Sequence, residues 1–387
     1  MSGHDITIIT KNDALAEFCQ SLAKSEFITV DTEFMRERTY WSQLCLIQVA
    51  SEEQAAIIDP LAEGLDLQPF LDLLGNESVL KVFHAARQDI EIFYQLMGKV
   101  PTPLFDTQIA AMACGYGDQV GYESLIRQTT GGVIDKGSRF TDWARRPLSD
   151  KQLVYALGDV THLIGAYKKL LEGLSRDGRD EWVREEMQAL LEPSLYFVKP
   201  EEAWRRLKLR NIRPKEMGPL IKLAEWREKE ARHRNVPRQR VIKDDAIFEL
   251  ARQTPTTAEA LSKCRSISGG FERSAQAKGL INAIKEGLAI DRDDLPKIAR
   301  NKDREPVPAD VLELLRVLLK RQCEAHNVAP KLLASAADLE AIARNDEADV
   351  PALKGWRRKI FGEAALKLKR GELALRLDNG TVSLFEI

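Results

Sequence analysis

Cysteine is sparse in this chain. The five cysteines (Cys19, Cys45, Cys114, Cys264, Cys323) are scattered over 387 residues. No Cys-x-x-Cys pair or Cys/His cluster occurs, which argues against structural zinc. The usage fits a reducing, cytoplasmic setting. No run of about 18 apolar residues is present, so no membrane-spanning helix is expected. The opening residues, MSGHDITIIT, lack a basic segment and a long apolar stretch, so no signal peptide is expected. No Gly-rich phosphate loop ending in Gly-Lys-Ser or Gly-Lys-Thr exists, and Gly269-Gly270 is no substitute. Neither ATP hydrolysis nor helicase activity is therefore expected.

Net charge is also nearly absent, at −2, but that figure hides an asymmetry. Residues 1–198 carry 18 basic and 30 acidic side chains, a net of −12. Residues 199–243 carry 15 and 6, a net of +9, and residues 244–387 carry 24 and 23, a net of +1. An acidic front half that must hold cations, joined to a basic segment, fits a phosphate-bearing polymer as partner. A solvated, Arg-rich helix face is the plainer reading of the basic segment alone. The length allows two or three domains.

The first half alternates strand and helix signals. ITIIT, FITVDTE, LCLIQVA, AAIID and VLKVF read as strands. Asn12 to Lys24 reads as a helix with Asn12 as N-cap, and helical patterns recur in ARQDIEIFYQLM, DTQIAAMAC and GYESLIRQTT. Ser149 and Gln152 have the spacing of a capping box and open a further helix. This pattern predicts an α/β domain with a mixed sheet and flanking helices over residues 1–195. After Leu191-Glu192-Pro193 strand signals vanish until the last dozen residues. RNVPRQRVIKDDAIFELAR (234–252) aligns without gaps to HNVAPKLLASAADLEAIAR (326–344). That repeat predicts two small all-α domains of one kind, over 200–290 and 303–373, separated by the charged, Pro-punctuated linker DRDDLPKIARNKDREPVP. The tail, 374–387, holds Asp-Asn-Gly between apolar runs and predicts a small hairpin.

Four acids stand out. Asp31 and Glu33 lie two apart at the end of an apolar strand, so their carboxylates face one side. Asp89 lies in HAARQDIEIF. Asp159 lies in YALGDVTHL, with Tyr155 one helical turn before it on the same face. Each acid alone reads as a surface residue or a cap. Together they suggest a two-metal phosphodiester nuclease, because two divalent cations about 3.5–4 Å apart can activate a water and stabilise the departing oxygen. Hard cations want oxygen ligands. Two like charges 4 Å apart repel by about 4 kcal/mol at an effective dielectric of 20, so converging acids need cations to stay together. Asp31 is expected to bridge both ions, with Glu33 and Asp159 on the first and Asp89 on the second. Tyr155, a phenol with an ordinary pKa near 10, is expected to orient the attacking water rather than deprotonate it.

Three stretches, DTEFMRERTYWSQLCLIQVA (31–50), KVFHAARQDIEIF (81–93) and TDWARRPLSDKQLVYALGDVTHL (141–163), closely resemble the ribonuclease D family. These are DEDD-type 3′→5′ exonucleases of ribonuclease H-like fold, and Tyr155 places the likeness in the tyrosine subclass. The helical repeats are similar to HRDC domains, which bind nucleic acid; the first copy fits more closely than the second. The resemblance implies Mg²⁺ or Mn²⁺ as cofactor and trimming of RNA 3′ ends to nucleoside monophosphates. It also implies precursor tRNAs and other structured RNAs as partners. A monomer is expected. The family usually has Ala before its last Asp; here Gly158 stands there. A DNA-trimming exonuclease and a non-catalytic nucleic-acid-binding adaptor are the competing readings.

Further candidates carry weaker signals. Phe34, Met35 and Gln48 are placed to contact the terminal base or ribose, though the first two fit a core equally well. His84 and His162 lie near the acids, and a structural role is the plainer reading of both. Trp143 reads as packing. Arg145 and Arg146 fit either a substrate phosphate or ion pairs with nearby acids. In the basic segment Arg205, Arg206, Lys208, Arg210, Arg232, Arg234, Arg238 and Arg240 form a candidate RNA-binding patch.

Overall fold

The apolar alternation of the first half closes into one six-stranded sheet. In chain order its strands are β1 (Ile8–Ile9), β2 (Phe27–Met35), β3 (Gln43–Ala50), β4 (Ala55–Ile58), β5 (Leu80–Phe83) and β6 (Leu104–Asp106). The spatial order is β1-β4-β3-β2-β5-β6. β2, β3 and β4 run antiparallel, while β1, β5 and β6 pair in parallel. The sheet is therefore mixed, as the strand signals predict, with β6 as a three-residue strand too short to read from sequence. The computed structural model describes residues 6–134, 137, 141–209, 212–296 and 306–387. Part of the linker, 297–305, lies outside them.

Seven helices flank the sheet: α1 (Asn12–Leu22), α2 (Gln68–Leu74), α3 (Arg87–Met97), α4 (Thr107–Ala113), α5 (Tyr122–Thr130), α6 (Asp150–Asp177) and α7 (Asp180–Leu190). The capping box at Ser149 and Gln152 is present and starts α6. Asn12 does not cap α1. Its side chain instead ties down a distant loop, donating to the Gly64 carbonyl at 3.1 Å and accepting from the Asp66 N–H at 2.8 Å. Helix α6 crosses β2, β3 and β4. The Thr29 hydroxyl fixes that crossing by donating to the Val160 carbonyl at 2.9 Å.

Beyond residue 200 the described chain is helical until its last strands. Helices α8 (Pro214–His233), α9 (Arg238–Val241), α10 (Asp244–Gln253), α11 (Ala258–Ser262) and α12 (Ala275–Leu288) bury their own core around Leu220, Leu223, Ile247, Leu250 and Leu280. α8 and α12 cross closely at glycine: a Cβ on Gly218 would lie 2.2 Å from the Gly287 carbonyl oxygen. The repeat reappears as structure in α13 (Ala309–His326), α14 (Pro330–Leu333) and α15 (Ala336–Arg344). α14 and α15 match α9 and α10 in order and spacing.

The last helical stretch, 355–369, passes through a π turn at Arg358–Gly362. The tail forms the hairpin β7 (Leu373–Asp378) and β8 (Thr381–Glu386). Its turn residues Asn379 and Gly380 both have positive φ, 49° and 81°. That is the two-residue geometry an Asn-Gly pair favours.

One relationship is not announced by the sequence. Leu315, Leu333, Ile342 and Phe361 belong to the same continuous buried apolar set as Met112 on α4 and Met187 on α7. The seam is closed by Trp182 and Trp356, which stack at 4.4 Å between centroids with an 8° tilt. Arg179 donates to the carbonyls of His326 and Asn327, and the Ala329 N–H donates to the Met112 carbonyl at 3.0 Å. The C-terminal helices thus pack into the sheet domain, whereas α8–α12 keep a core of their own.

Candidate active site

Strand period sets the first two acids. Asp31 and Glu33 flank Thr32 on β2 and share a side, and the register then slips at a bulge between Glu33 and Phe34. Bulges of this kind re-aim side chains next to sites. Asp159 comes from the buried face of α6. One carboxylate oxygen from each of Asp31, Glu33 and Asp159 lies within 4.8 Å of the others. Asp89, in the first turn of α3, stands apart from this trio but near Asp31. The Thr32 hydroxyl holds it by a short hydrogen bond to Oδ1. The start of α3 is in turn fixed by Asp106, whose carboxylate accepts from the N–H groups of Ala85 and Ala86 at 3.0 and 2.9 Å.

The electrostatics are those of crowded anions. Burial pushes the Asp31 carboxyl up to about 7, against a weaker downward pull from a backbone hydrogen bond at Thr32. Burial and then the charge of Asp31 push Asp89 well above the ordinary carboxylate range. All four donors are carboxylates, so the set fits hard divalent cations.

Tyr155 bonds the Asp159 carboxyl. Burial first, and then the charges of Asp159, Glu33 and Asp31, raise its phenol above the ordinary value, so it stays protonated. Trp143 packs against its ring at 6.1 Å.

Three residues around the acids are not read from the sequence as part of the site. They are Thr32, Asp106 and Tyr122. The Tyr122 hydroxyl donates to the Gly158 carbonyl at 2.9 Å, one residue before Asp159. The Asp-Thr-Glu triplet offers a signal for Thr32; the other two meet the site only through folding.

The weaker candidates divide. Gln48 is directly across from Asp31 in the sheet and fully buried, and both its amide atoms lack a hydrogen-bond partner among the described residues. Met35 packs beside Trp143 and Leu153, and Phe34 is half-buried. His84 bonds the Thr107 hydroxyl through Nδ1 at 2.9 Å and meets the Tyr122 ring edge-on at 5.6 Å. Burial lowers its pKa. His162 donates from Nδ1 to the Gly158 carbonyl at 2.8 Å, a structural role. Arg145 is exposed.

For Arg146 the ion-pair reading holds and the phosphate reading is corrected, because it is not free for a substrate phosphate. Its guanidinium grips Asp59 bidentately at 2.7 and 2.7 Å and also donates to the carbonyls of Cys45 and Trp143.

The basic patch is also corrected in part. Arg232 and Arg238 are held between Glu228, which is 1% exposed in its side chain, and the hydroxyl of Tyr40, to which they donate at 3.0 and 2.9 Å. They rivet α8 to the sheet domain rather than facing solvent. Arg234 and Arg205 lie 3.8 Å from Glu230 and Glu202. Arg206, Lys208 and Arg240 are exposed, and Arg210 lies outside the described residues.

Comparison with known proteins agrees with this geometry. A 3′-5′ exonuclease family profile matches residues 6–175, and an HRDC domain profile matches residues 220–284. Ribonuclease D of Nitrobacter hamburgensis is 50% identical over 375 residues, covering 97% of this chain and 98% of that protein. The chain belongs to the ribonuclease D family. Ribonuclease D of Granulibacter bethesdensis is 48% identical over 98% of this chain and 96% of its own. Among solved structures, Escherichia coli RNase D superposes with a TM-score of 0.81 at 30% identity, covering 95% of this chain and 99% of that one. The mixed sheet is thus that of a ribonuclease H-like 3′→5′ exonuclease domain, followed by a helical HRDC domain. The protein is a hydrolytic 3′→5′ exoribonuclease, and its substrate class is RNA. Among the described residues no helix is long and apolar enough to cross a membrane.

Proposed function

We propose that Asp31, Glu33, Asp89 and Asp159, with Tyr155, form the catalytic centre that trims single nucleotides from RNA 3′ ends and releases nucleoside 5′-monophosphates. The observation that supports this reading is the meeting of three carboxylates from β2 and α6 within 4.8 Å. Asp31, Glu33 and Asp159 would hold one divalent cation, and Asp31 with Asp89 a second. Mg²⁺ is the natural occupant of an all-carboxylate set, with Mn²⁺ as the alternative. Such cations supply acidity to a water and offset charge on the departing oxygen.

The chain's own residues do the rest. Thr32 holds the Asp89 oxygen in place. Tyr155, kept protonated, steadies Asp159 and orients the attacking water through its hydroxyl. Tyr122 pins the backbone carbonyl before Asp159.

The E. coli relative is described as an exoribonuclease involved in structured RNA processing. We extend this to precursor tRNAs and other RNAs with single-stranded 3′ ends as substrates here. We also assign 303–373 as a second HRDC-like unit, since α14 and α15 repeat α9 and α10. We place the protein in the cytoplasm, given five free cysteines, and take it to act as a monomer.

The test uses 3′-labelled RNA and Mg²⁺. The parent should release mononucleotides, and Asp31→Asn should lower the rate by about a thousandfold or more, as loss of several kcal/mol of charge stabilisation requires. A mutant that digests RNA at the parental rate would overturn these roles.

A further inference from the structure

A cleft of about 340 Å³ opens between the end of β2 and the HRDC domain. Its walls carry Arg36, Tyr40, Arg206, Arg227 and Arg238, with Asp244 as the acid among them. Four guanidinium groups around one hollow need counter-charge, and three have it. Arg36 pairs with Glu91 at 2.7 Å, Arg227 with Asp244 at 2.6 Å, and Arg238 with the buried Glu228. Among the described residues Arg206 has no ion pair or hydrogen bond.

The position of the cleft relates it to the catalytic acids. Arg36 follows the last residue of β2 and lies three residues past Glu33, a distance of about 10 Å along an extended chain. Glu91 lies two residues past Asp89 on α3. The strand that carries Asp31 and Glu33 therefore leads into this hollow, and the Arg36–Glu91 pair ties its rim to the helix that carries Asp89. An RNA strand whose 3′ end lies at the acids must leave past one of the walls of the site. This wall offers arginine, whose planar fork matches phosphate geometry.

We propose that the cleft binds a backbone phosphate of the RNA strand, a few nucleotides upstream of the bond being cut, with Arg206 as principal ligand and Arg36 as second. The proposal rests on the exonuclease reading above. Arg36 is available because its pair with Glu91 is solvent-exposed, 41% and 36% in the side chains. Such a pair contributes little to stability, so a phosphate can displace Glu91 at small cost. Arg227 and Arg238 keep their carboxylates, one of which, Asp244, also lines the cleft, so the uncompensated positive charge of the hollow is that of Arg206. Phosphate contact needs no base recognition, which suits an enzyme that must pass every nucleotide through one site.

The test separates this claim from the catalytic one. Affinity for a single-stranded RNA of about twelve nucleotides and for a trinucleotide is measured by fluorescence anisotropy with metal chelated, so nothing turns over. Arg206→Gln should weaken the longer RNA about tenfold and shrink its advantage over the trinucleotide. It should also flatten the slope of log Kd against log salt by about 0.7, the loss of one single-strand phosphate contact. Lys263→Gln removes an equal charge from the same domain, at an exposed pair with Glu259; it should do neither. An unchanged slope in Arg206→Gln, or the same loss in Lys263→Gln, overturns the proposal. Failure of the exonuclease reading shows elsewhere, as absence of mononucleotide release by the parent protein with Mg²⁺. The binding measurement decides the cleft in either case.

Discussion

Asn235 and Asn327 occupy equivalent places in the two helical repeats, and each is a point where its repeat touches the sheet domain. Each follows a long helix in the left-handed conformation, at φ 48° and 47°. The Asn235 side chain accepts from the N–H groups of Tyr40 and Trp41, both at 3.1 Å. Asn327 lies against Cys114, and its carbonyl accepts from Arg179 at 3.1 Å. Asn tolerates this conformation better than most residues. Asn235→Ala should destabilise the protein by about 1–2 kcal/mol, most of it the left-handed backbone penalty. Asn235→Gly removes that penalty but still loses the acceptor. It should leave the unfolding midpoint near the parent's while hydrogen exchange at the Tyr40 and Trp41 amides speeds up. Equal losses for both variants would show that the side-chain bonds, not the backbone, carry the effect.

A second prediction concerns the rivet behind that contact. Burial pushes the Glu228 carboxyl up, yet hydrogen bonds from Arg238 and Tyr40 outweigh it and hold the group below the ordinary range. Glu228→Gln leaves two arginines short of their counter-charge and should cost about 3 kcal/mol. Tyr40→Phe removes one hydroxyl from a network that stays otherwise paired and should cost about 1.5 kcal/mol. Urea denaturation measures both. The ranking fails if Tyr40→Phe is the more damaging of the two.

The catalytic acids give a pH prediction with a definite sign. Asp31 is raised to about 7 in the fold, from an ordinary carboxylate value near 4. Its contribution to stability is therefore fully present below about 4 and is lost as pH rises through about 7. Metal-free protein should lose thermal stability between pH 5 and pH 8, and Asp31→Asn should flatten that decline. Added Mg²⁺ should restore more stability at pH 8 than at pH 6, because cation binding competes with the protons on these carboxylates. Thermal melts at the two pH values, with and without Mg²⁺, check the sign. A Mg²⁺ effect larger at pH 6 would contradict it.

Gly158 offers a stabilising change next to the site. A Cβ built there meets only His162, at 3.5 and 3.7 Å, which is ordinary contact. The Gly158 carbonyl, which serves Tyr122 and His162, is untouched by the substitution. Gly158→Ala should therefore add up to about 1 kcal/mol through helix propensity and retain exonuclease activity. A lower unfolding midpoint would mean that the α6–α5 packing is tighter than these distances show.

Much of this architecture is legible in the sequence because the signals are local. The spacing of Asp31 and Glu33 on a strand, and of Tyr155 and Asp159 on a helix, follows from periods of 2 and 3.6 residues. The Ser149 capping box is a four-residue signal and is found where expected. What is not legible depends on partners far apart in the chain. Nothing near Arg238 announces Tyr40, 198 residues away, so two arginines that read as a solvent-facing patch are bound inward. Arg146 reads as a phosphate ligand or an ion-pair partner alike, and the choice is made only when the fold brings up Asp59, 87 residues away. Asn12 looks like a cap until Gly64 and Asp66 reach it. β6 escapes notice because three residues carry no period.

The Trp182–Trp356 seam has a consequence for how the polypeptide responds to being severed. Because the C-terminal helices share buried apolar side chains with α4 and α7, the covalent connection through 291–308 is not what keeps them in place. A nick in that segment should yield two fragments that still co-migrate under native conditions and part only in denaturant. The reverse follows for truncation. A chain stopped near residue 195 strips Trp182 of the Trp356 ring stacked on it and uncovers the part of the shared buried set around Met112 and Met187. It should be recovered as an aggregating species rather than as a minimal enzyme.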